Sequence, residues 1–473
     1  MVTPAGSEGD LIDLDIEDVA HGGVFVARHE GRVVFVSDAI PGERVRVRRS
    51  DAAADGDADR RRFWRAETIE VLDASPDRRP HVWAAADVAN PPEQRPGGAD
   101  FGHISLDRQR ALKLQVLHDA LTRFAGLDLE ATIEPALAER DSAGEIVAEE
   151  TADGTGWRTR VSLHVDDEGR IGPYAARSHR IIPVDEIPLA TTALAEAARR
   201  LTHGAPGRLD LVQPADGRVR VLPRPDRARR SRGTHRGGGG KTQAPREPAR
   251  EVVLERVAGR DFRVDAGGFW QVHRLAAHSL SGLVTRALGI VEDEGPGVDP
   301  EGWHLDLYGG VGLFAATLAE QAGARARITS VESDARATEH AGENLAQWSG
   351  ARAETGRVDR WLHTVREQAS ARDLDRLSRG VVVLDPPRSG AGLQVAGDLA
   401  ALSPAAVVYV ACDPVALARD LAVFRENGYH AARVEAVDLF PNSHHVEAVA
   451  TLIRDGARRA VTDIRDSPPS LLT

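Results

Sequence analysis

The chain has 473 residues, 42% of them hydrophobic and 28% charged, with a formal net charge of −12. At roughly 150 residues per domain that length predicts two to four domains, and the apolar fraction excludes wholesale disorder. No run approaches the ~18 continuous apolar residues of a membrane helix, and the single cysteine, Cys412, rules out an intramolecular disulfide and any four-cysteine zinc or iron–sulfur site.

The first residues are acidic (Glu8, Asp10, Asp13, Asp15, Glu17, Asp18), with no basic residue before Arg28. A secretory signal needs a positive start and an apolar run, so the expected location is the cytoplasm. Net negative charge argues against a nonspecific nucleic-acid binder, although the distribution of charge matters more than its sum. Of the cations, only Lys113 and Lys241 are lysines. The rest are arginines, planar forks suited to phosphate and stacking.

Residues 8–75 read as a small β-barrel. The stretch "DLIDLDIEDVAHGGVFVARHEGRVVFVSDAIPGERVRVRRS" alternates apolar and polar positions, with turn signals at Gly22-Gly23, Gly31 and Pro41-Gly42, and "WRAETIEVL" (Trp64 to Leu72) adds a further strand. Arg44, Arg46, Arg48 and Arg49 end one strand, facing either phosphate or plain solvent.

Residues 76–250 predict a central, β-rich α+β region. A Pro/Gly loop over 80–105 precedes helical periodicity over 106–124, a β-rich stretch over 157–183, a helix over about 190–202 and a strand near 209–213. A Gly/Arg linker over 226–250 closes the region. From Arg218 to Arg250 there are ten arginines and Lys241 against Asp226 and Glu247, a composition that fits either a solvated linker or attraction to phosphate.

From 251 to 456 apolar strand runs alternate with helical stretches, the signature of a mostly parallel α/β sheet. Four motifs there carry chemistry. In "HLDLYGGVGLFAATLA" a strand ends at Asp306, Gly309, Gly310 and Gly312 make a turn, and a helix starts near Leu313. Such glycines let backbone approach a ligand above a helix N-terminus. The next strand ends at Glu332, placed to grip a ribose diol. Nicotinamide enzymes share that logic, but the G-x-G-x-x-G spacing is missing. The acid two residues before Tyr308 fits S-adenosylmethionine enzymes better.

The second motif, "VVVLDPPRSG", sets Asp385 and two prolines rigidly at a strand end. It suits either a base-holding contact or a structural turn. The third, "VVYVACDP", puts Cys412 at the next strand end, before a helix whose N-terminus is expected to lower the thiol pKa. The fourth, "LFPNSHHVEAVATLIR", places Glu447 as a base at the same edge. His444 and His445 are adjacent and would point to opposite faces of a strand, so no shared metal is expected. The tail over 457–473 is polar and predicted loose.

In this order the four motifs resemble the RNA 5-methyluridine methyltransferases, which act on tRNA and 23S rRNA, and the resemblance covers most of the chain. The segment "DIEDVAHGGVFVARHEGRVVFVSDAIPGERV" resembles a TRAM (OB-like) RNA-binding barrel. "WRTRVSLHV" and "GPYAARSHRIIPVDEIPLA" resemble the family's central region, and "FRVDAGGFWQVH" its F-x-Q-x-N segment. The resemblance implies a Rossmann-like class I methyltransferase domain behind the barrel, with S-adenosylmethionine as cofactor, RNA as partner, no membrane and a monomer. It implies that Gln271, Tyr308, Glu332 and Asp385 contact the cofactor, that Cys412 is the nucleophile and that Glu447 is the general base. A thiolate adding to carbon 6 of uracil makes carbon 5 enolate-like, and a carboxylate then removes the carbon 5 proton.

Three departures stand out. Many relatives hold a four-cysteine iron–sulfur cluster after the barrel, whereas "VWAAADVANPPEQRPGGADFGHISLDRQRALK" has no cysteine, so no cluster is expected. Leu313 stands where relatives carry a polar residue, and "CDP" replaces "CNP". The alternatives are an RNA-binding protein or chaperone on the same scaffold, which joint retention of Cys412, Glu447 and Asp385 disfavours, or a methyltransferase for another base or a small molecule, which Cys412 disfavours.

Overall fold

The computed structural model describes residues 11–50, 62–225 and 248–457. Most of the basic linker, residues 226–247, and the tail from 458 onward lie outside the described residues. Among the described residues no helix is long and apolar enough to cross a membrane.

Strands β1 (Leu11–Ala20), β2 (Val24–His29), β3 (Arg32–Ser37), β4 (Arg44–Arg49) and β5 (Phe63–Asp73) close into a barrel of order β1-β2-β3-β5-β4. The alternating sequence places Leu14, Ile16, Phe25, Ala27, Val34, Val36, Val45 and Val47 inside. Phe101, Ile104 and Leu112, all from beyond the last barrel strand, complete that core. The 80–105 loop that supplies two of them is organised by a buried arginine. Arg95 donates from Nε to the Asn90 carbonyl at 2.9 Å and from its two Nη atoms to the Val88 carbonyl (2.9 Å) and Asp38 Oδ2 (2.8 Å).

Helix α1 (Leu106–Ala120) runs on into a π turn over Leu121–Ala125. Next comes β6 (Thr132–Pro135), and then the short hairpin β7 (Glu139–Arg140) and β8 (Ile146–Ala148). The central region is a four-stranded antiparallel sheet of order β10-β9-β11-β12, built from β9 (Arg160–Val165), β10 (Ile171–Gly172), β11 (Gly207–Val212) and β12 (Arg220–Pro225). Helix α2 (Thr192–Arg199) packs Leu194 into the same core as Trp157, Leu163 and Leu211. A hairpin, β13 (Val252–Val257) and β14 (Arg260–Asp265), leads to α3 (Ala276–Glu294).

The remaining chain alternates β15 (Trp303–Leu307), α4 (Leu313–Ala322), β16 (Arg327–Glu332), α5 (Ala335–Asn344), β17 (Ala351–Thr355), α6 (Val358–Gln368), α7 (Ala371–Ser378), β18 (Val381–Leu384), α8 (Gly392–Ala401), β19 (Ala406–Ala411), α9 (Pro414–Glu426), β20 (Tyr429–Asp438) and β21 (Glu447–Arg454). They form one sheet of order β17-β16-β15-β18-β19-β21-β20-β6, parallel from β17 to β19 and antiparallel at β21. Successive strand residues serve opposite cores: Val381, Val383 and Val408 face α3 and α4, while Val382, Leu384 and Tyr409 face α8 and α9. The edge strand β6 pairs in parallel with β20, so this sheet draws one strand from residues 132–135, well outside 251–456. Strand order reverses at β15, which puts the β15 and β18 ends at the switch point where open α/β sheets bind ligands.

Helix α1 is tied to the sheet by a fully buried ion pair. Lys113 donates to Asp438 Oδ1 at 2.6 Å and to the Phe440 carbonyl at 3.0 Å, at the point where β20 ends and the site loop begins. Lys113→Met strands a buried carboxylate that only Arg110, at 3.5 Å, can partly meet. The expected loss is about 3 kcal/mol in urea unfolding, with recovery of much of it in Lys113→Met/Asp438→Leu, because removing both charges leaves none unpaired. Equal stability of the single variant and the wild type would show that the pair holds nothing.

Candidate active site

The glycine turn after β15 is built around Asp306. Its Oδ2 accepts the Ala315 N–H at 3.1 Å and the Ser330 hydroxyl at 3.0 Å, whereas Oδ1 is buried without a partner. A Cβ on Gly309 would sit 2.0 Å from Ser330 Oγ and 2.5 Å from Asp306 Oδ2, so this position tolerates only glycine. Tyr308 adopts a left-handed φ of 62° at the head of the turn. That conformation is costly for a bulky residue, and such strain clusters at ligand sites. Burial pushes the Tyr308 hydroxyl up to about 12. Across the turn Glu332 Oε2 accepts the Gly310 N–H at 3.2 Å, and Oε1 accepts the Asp334 N–H at 2.8 Å.

The next strand edges bring three more groups together. The β19–β21 register pairs Ala411 with Ala448, so its continuation sets Cys412 opposite Glu447. Directly opposed residues share a face, with Cβ atoms ~5 Å apart. Asp385, whose N–H donates to the Leu307 carbonyl at 3.2 Å, follows β18 alongside. Burial, then the neighbouring Asp306, raises Asp385 to about 7. Burial, then Asp385, raises Glu447 to about 8.

Cys412 is half-buried and lines a cavity of ≈ 170 Å³ with Arg388, Asp413, His445, Lys113 and the barrel turn His21 to Gly23. That volume is below the ~300 Å³ of the smallest drug-sized pockets, on the scale of one flat ring. The expectation of a lowered thiol pKa is corrected here. Burial and the charges of Glu447 and Asp385 push Cys412 up to about 12, against the smaller opposing pull of Arg388. The N-terminus of α9 behind it is capped by Asp413, which accepts the Ala416 N–H at 2.8 Å.

Gln271 stands apart from the other predicted cofactor contacts. It lines a different cleft, with Thr159, Gln213, Glu255 and His278, between the central sheet and the start of α3. His444 and His445 do not point to opposite faces of a strand as expected: they lie in the loop before β21, with ring centroids 4.2 Å apart. His444 Nδ1 bonds Asp100, and His445 lies 3.4 Å from Arg388 Nη2, with its pKa held near 3 by burial and by His444 and Arg388. No group of three or more metal-ligating side chains occurs among the described residues.

Sequence reasoning did not assign three residues that shape the site. Arg388 acts electrostatically on Cys412 and Glu447, and its signal was its place directly after the two prolines. Asn442, fully buried at φ 66°, joins four segments. Its N–H donates to Gln109 Oε1 (2.7 Å), Nδ2 donates to the Asp153 and Gly154 carbonyls (3.0 and 2.7 Å), and Oδ1 accepts from Arg79 (2.5 Å). His21, in the barrel turn, pairs its Nε2 with Asp413 Oδ2 at 2.8 Å across 392 residues of sequence, and nothing local foretells it.

These observations define the class: a Rossmann-like methyltransferase domain whose ligand edge is walled by a small β-barrel. The model of the tRNA (Uracil-5-)-methyltransferase family matches residues 297–455, and that of the TRAM domain matches residues 7–54. An uncharacterized RNA methyltransferase of Streptomyces avermitilis is 37% identical over 463 residues, covering 94% of this chain and 98% of its own. The 23S rRNA (uracil(1939)-C(5))-methyltransferase RlmD of Halomonas elongata is 31% identical over 487 residues, covering 96% of this chain and 92% of its own. The crystal structure of Pyrococcus abyssi tRNA (uracil-54, C5)-methyltransferase with S-adenosyl-L-homocysteine shares the fold, with a TM-score of 0.59 at 21% identity over 93% of this chain and 100% of that one. The chain belongs to the S-adenosylmethionine-dependent RNA uracil-C5 methyltransferases.

The residues fit that cofactor. The orphaned Asp306 Oδ1 and the close-packed Gly309 turn mark a ligand seat, and an edge of buried acids suits a sulfonium cation.

The thiol can be tested directly, since it is the chain's single cysteine. In the ligand-free protein its alkylation by iodoacetamide, followed by intact mass, should climb with pH past 9 without the plateau of an ordinary thiol. At pH 9 the Glu447 carboxylate is charged and opposes thiolate formation. Glu447→Gln should therefore react several-fold faster there, since each pKa unit is about tenfold in thiolate. A plateau by pH 8.5, or no change in the variant, would contradict this charge arrangement.

Proposed function

We propose that this protein makes 5-methyluridine in tRNA or 23S rRNA through a covalent adduct between Cys412 and carbon 6 of the target uracil. The observation that carries the reading is the register that sets Cys412 opposite Glu447, with Asp385 beside them at the ligand edge. In this reading Tyr308, Glu332 and Asp385 hold S-adenosylmethionine. Gln271 would join them only from the neighbouring cleft. When bound, that cofactor supplies an electrophilic methyl group on a sulfonium.

The chain's own residues do the rest. The Cys412 thiolate adds to carbon 6, and the electron pair of the 5,6 double bond moves towards carbon 5 and the carbon 4 oxygen. Arg388 offsets negative charge on Cys412 and Glu447. After carbon 5 is methylated, Glu447 takes its proton, the 5,6 double bond re-forms and the C–S bond breaks, returning the thiolate. The ring must leave its stack to reach the small thiol cavity. The barrel and the central region (8–75 and 76–250) would grip RNA while residues 251–456 do the chemistry, in a cytoplasmic monomer.

Incubating the protein with tritiated S-adenosylmethionine and with tRNA or ribosomal RNA from cells lacking the gene should give labelled 5-methyluridine in one of them. Cys412→Ala should lose transfer while still binding RNA. Glu447→Gln should slow turnover by at least about a hundredfold, the scale of a general base, and accumulate protein–RNA adduct on a denaturing gel. Transfer by Cys412→Ala at the wild-type rate would refute the covalent route. RNA binding with no transfer by the wild type would favour a binding protein on this scaffold.

A further inference from the structure

Helix α8 starts without a cap of its own, because its N-cap residue, Ala391, has no side chain that can accept a hydrogen bond. The acceptor comes instead from α9. Asp420, 3% exposed, turns Oδ2 to the Ala391 N–H at 2.8 Å and to the Gly392 N–H at 3.2 Å, and the same oxygen accepts the Tyr409 hydroxyl at 2.5 Å. These donors and the positive end of α8 hold the buried charge. Gly390, at φ 82°, passes so close that a Cβ there would lie 2.8 Å from Oδ2.

The loop clamped in this way carries Arg388. Its other end is fixed where the Asp385 N–H donates to the Leu307 carbonyl at 3.2 Å. Two prolines and a bond from the Gly390 N–H to the Pro387 carbonyl, at 2.8 Å, stiffen the middle. Arg388 lines the thiol cavity but is exposed, and the one hydrogen bond of its guanidinium among the described residues goes to His445 Nε2 at 3.4 Å. So long and lightly held a side chain takes its place from its backbone. Helix α9 starts two residues after Cys412 and reaches Asp420 within two turns, so one rigid rod serves both the thiol and the arginine loop.

We propose that Asp420 is a positioning residue, which by holding the Ala391 and Gly392 N–H groups sets Arg388 beside Cys412. The purpose of that placement rests on the reading of Cys412 as nucleophile, but the placement itself can be read on the thiol alone.

The test compares alkylation of Cys412 by iodoacetate and by iodoacetamide in the full-length protein, followed by intact mass. One reagent is an anion and the other neutral, so their rate ratio reports positive charge near the sulfur, while changes in access or in thiol pKa cancel. Arg388→Gln should lower the ratio about fivefold, the worth in water of one charge at contact distance. Asp420→Ala should lower it by a similar factor, and the double variant should fall no further than Arg388→Gln alone. Loss of a carboxylate would by itself raise the ratio, so a fall has the opposite sign to any direct effect of Asp420. Gly390→Ala, which pushes the loop off an intact carboxylate, should lower the ratio too and does not depend on the Asp420 variant folding. S-adenosyl-L-homocysteine binding should survive in each variant, because Asp385 keeps its own anchor at Leu307. An unchanged or raised ratio in Asp420→Ala, factors that multiply in the double variant, no response to Arg388→Gln, or loss of S-adenosyl-L-homocysteine binding along with the ratio would each overturn the proposal. None of these would touch the covalent route, whereas failure of the wild type to methylate any RNA would sink that route and leave the ratio test intact.

Discussion

The site depends on a charge conflict. Asp306, Asp385, Glu447 and Cys412 sit at the ends of neighbouring strands of one sheet, and each acidic group raises the pKa of the next. Burial is the larger cause for every one of them, so none is eased by water. With Asp306 and Asp385 near 7 and Glu447 near 8, the ligand-free edge holds protons at neutral pH. A carboxylate is a poor base while protonated and a thiol a poor nucleophile while neutral, so the resting edge is chemically quiet. A cationic ligand reverses the sign of the local field and favours the charged forms of every member at once.

Of these groups, Glu447 is placed by the loop between β20 and β21. Asn442 occupies a left-handed conformation that asparagine tolerates better than most residues, and its amide saturates donors and acceptors from three other segments. Lys113 anchors the start of that loop through Asp438 and the Phe440 carbonyl, and Glu447 opens the strand at its far end. The barrel leans on the same loop. A Cβ on Gly23 would lie 2.6 Å from Asp100 Oδ2 and 2.7 Å from His444 Nδ1, so the β1–β2 turn reaches the loop only as glycine. Because Phe101, Ile104 and Leu112 complete the barrel core from outside its strands, the barrel cannot pivot freely. The RNA-binding module is therefore a wall of the thiol cavity rather than a tethered accessory.

Much of this was legible in the sequence. The alternation over residues 11–50 and 63–73 became the barrel, and the strand–glycine–helix pattern around Tyr308 became the β15–α4 turn, with α4 starting at Leu313 as expected. Local signals fix local structure, so Asp385, Cys412, Glu332 and Glu447 could each be placed at a strand end. The pKa of Cys412 was misjudged because a helix N-terminus is visible in sequence, whereas burial and two carboxyls from other strands are not. The same blindness hid His21, whose partner lies 392 residues away, and the edge strand β6, four residues without a distinctive pattern. Gln271 shows the reverse. Its motif was readable, yet its side chain lines a cleft shared with the central sheet.

Two departures from the family pattern find physical roles. Leu313 is buried in the core shared by α3 and α4, so the position that relatives give to a polar group here adds apolar contact at the first residue of the helix beneath the glycine turn. Asp413 does two jobs that an asparagine amide would divide differently. One oxygen caps α9 through the Ala416 N–H, and the other holds His21, whose pKa this carboxylate raises. An asparagine at 413 would keep the cap but lose the hydrogen-bonded carboxylate that raises the His21 pKa. The carboxylate therefore favours the protonated imidazole on the barrel turn that walls the thiol cavity.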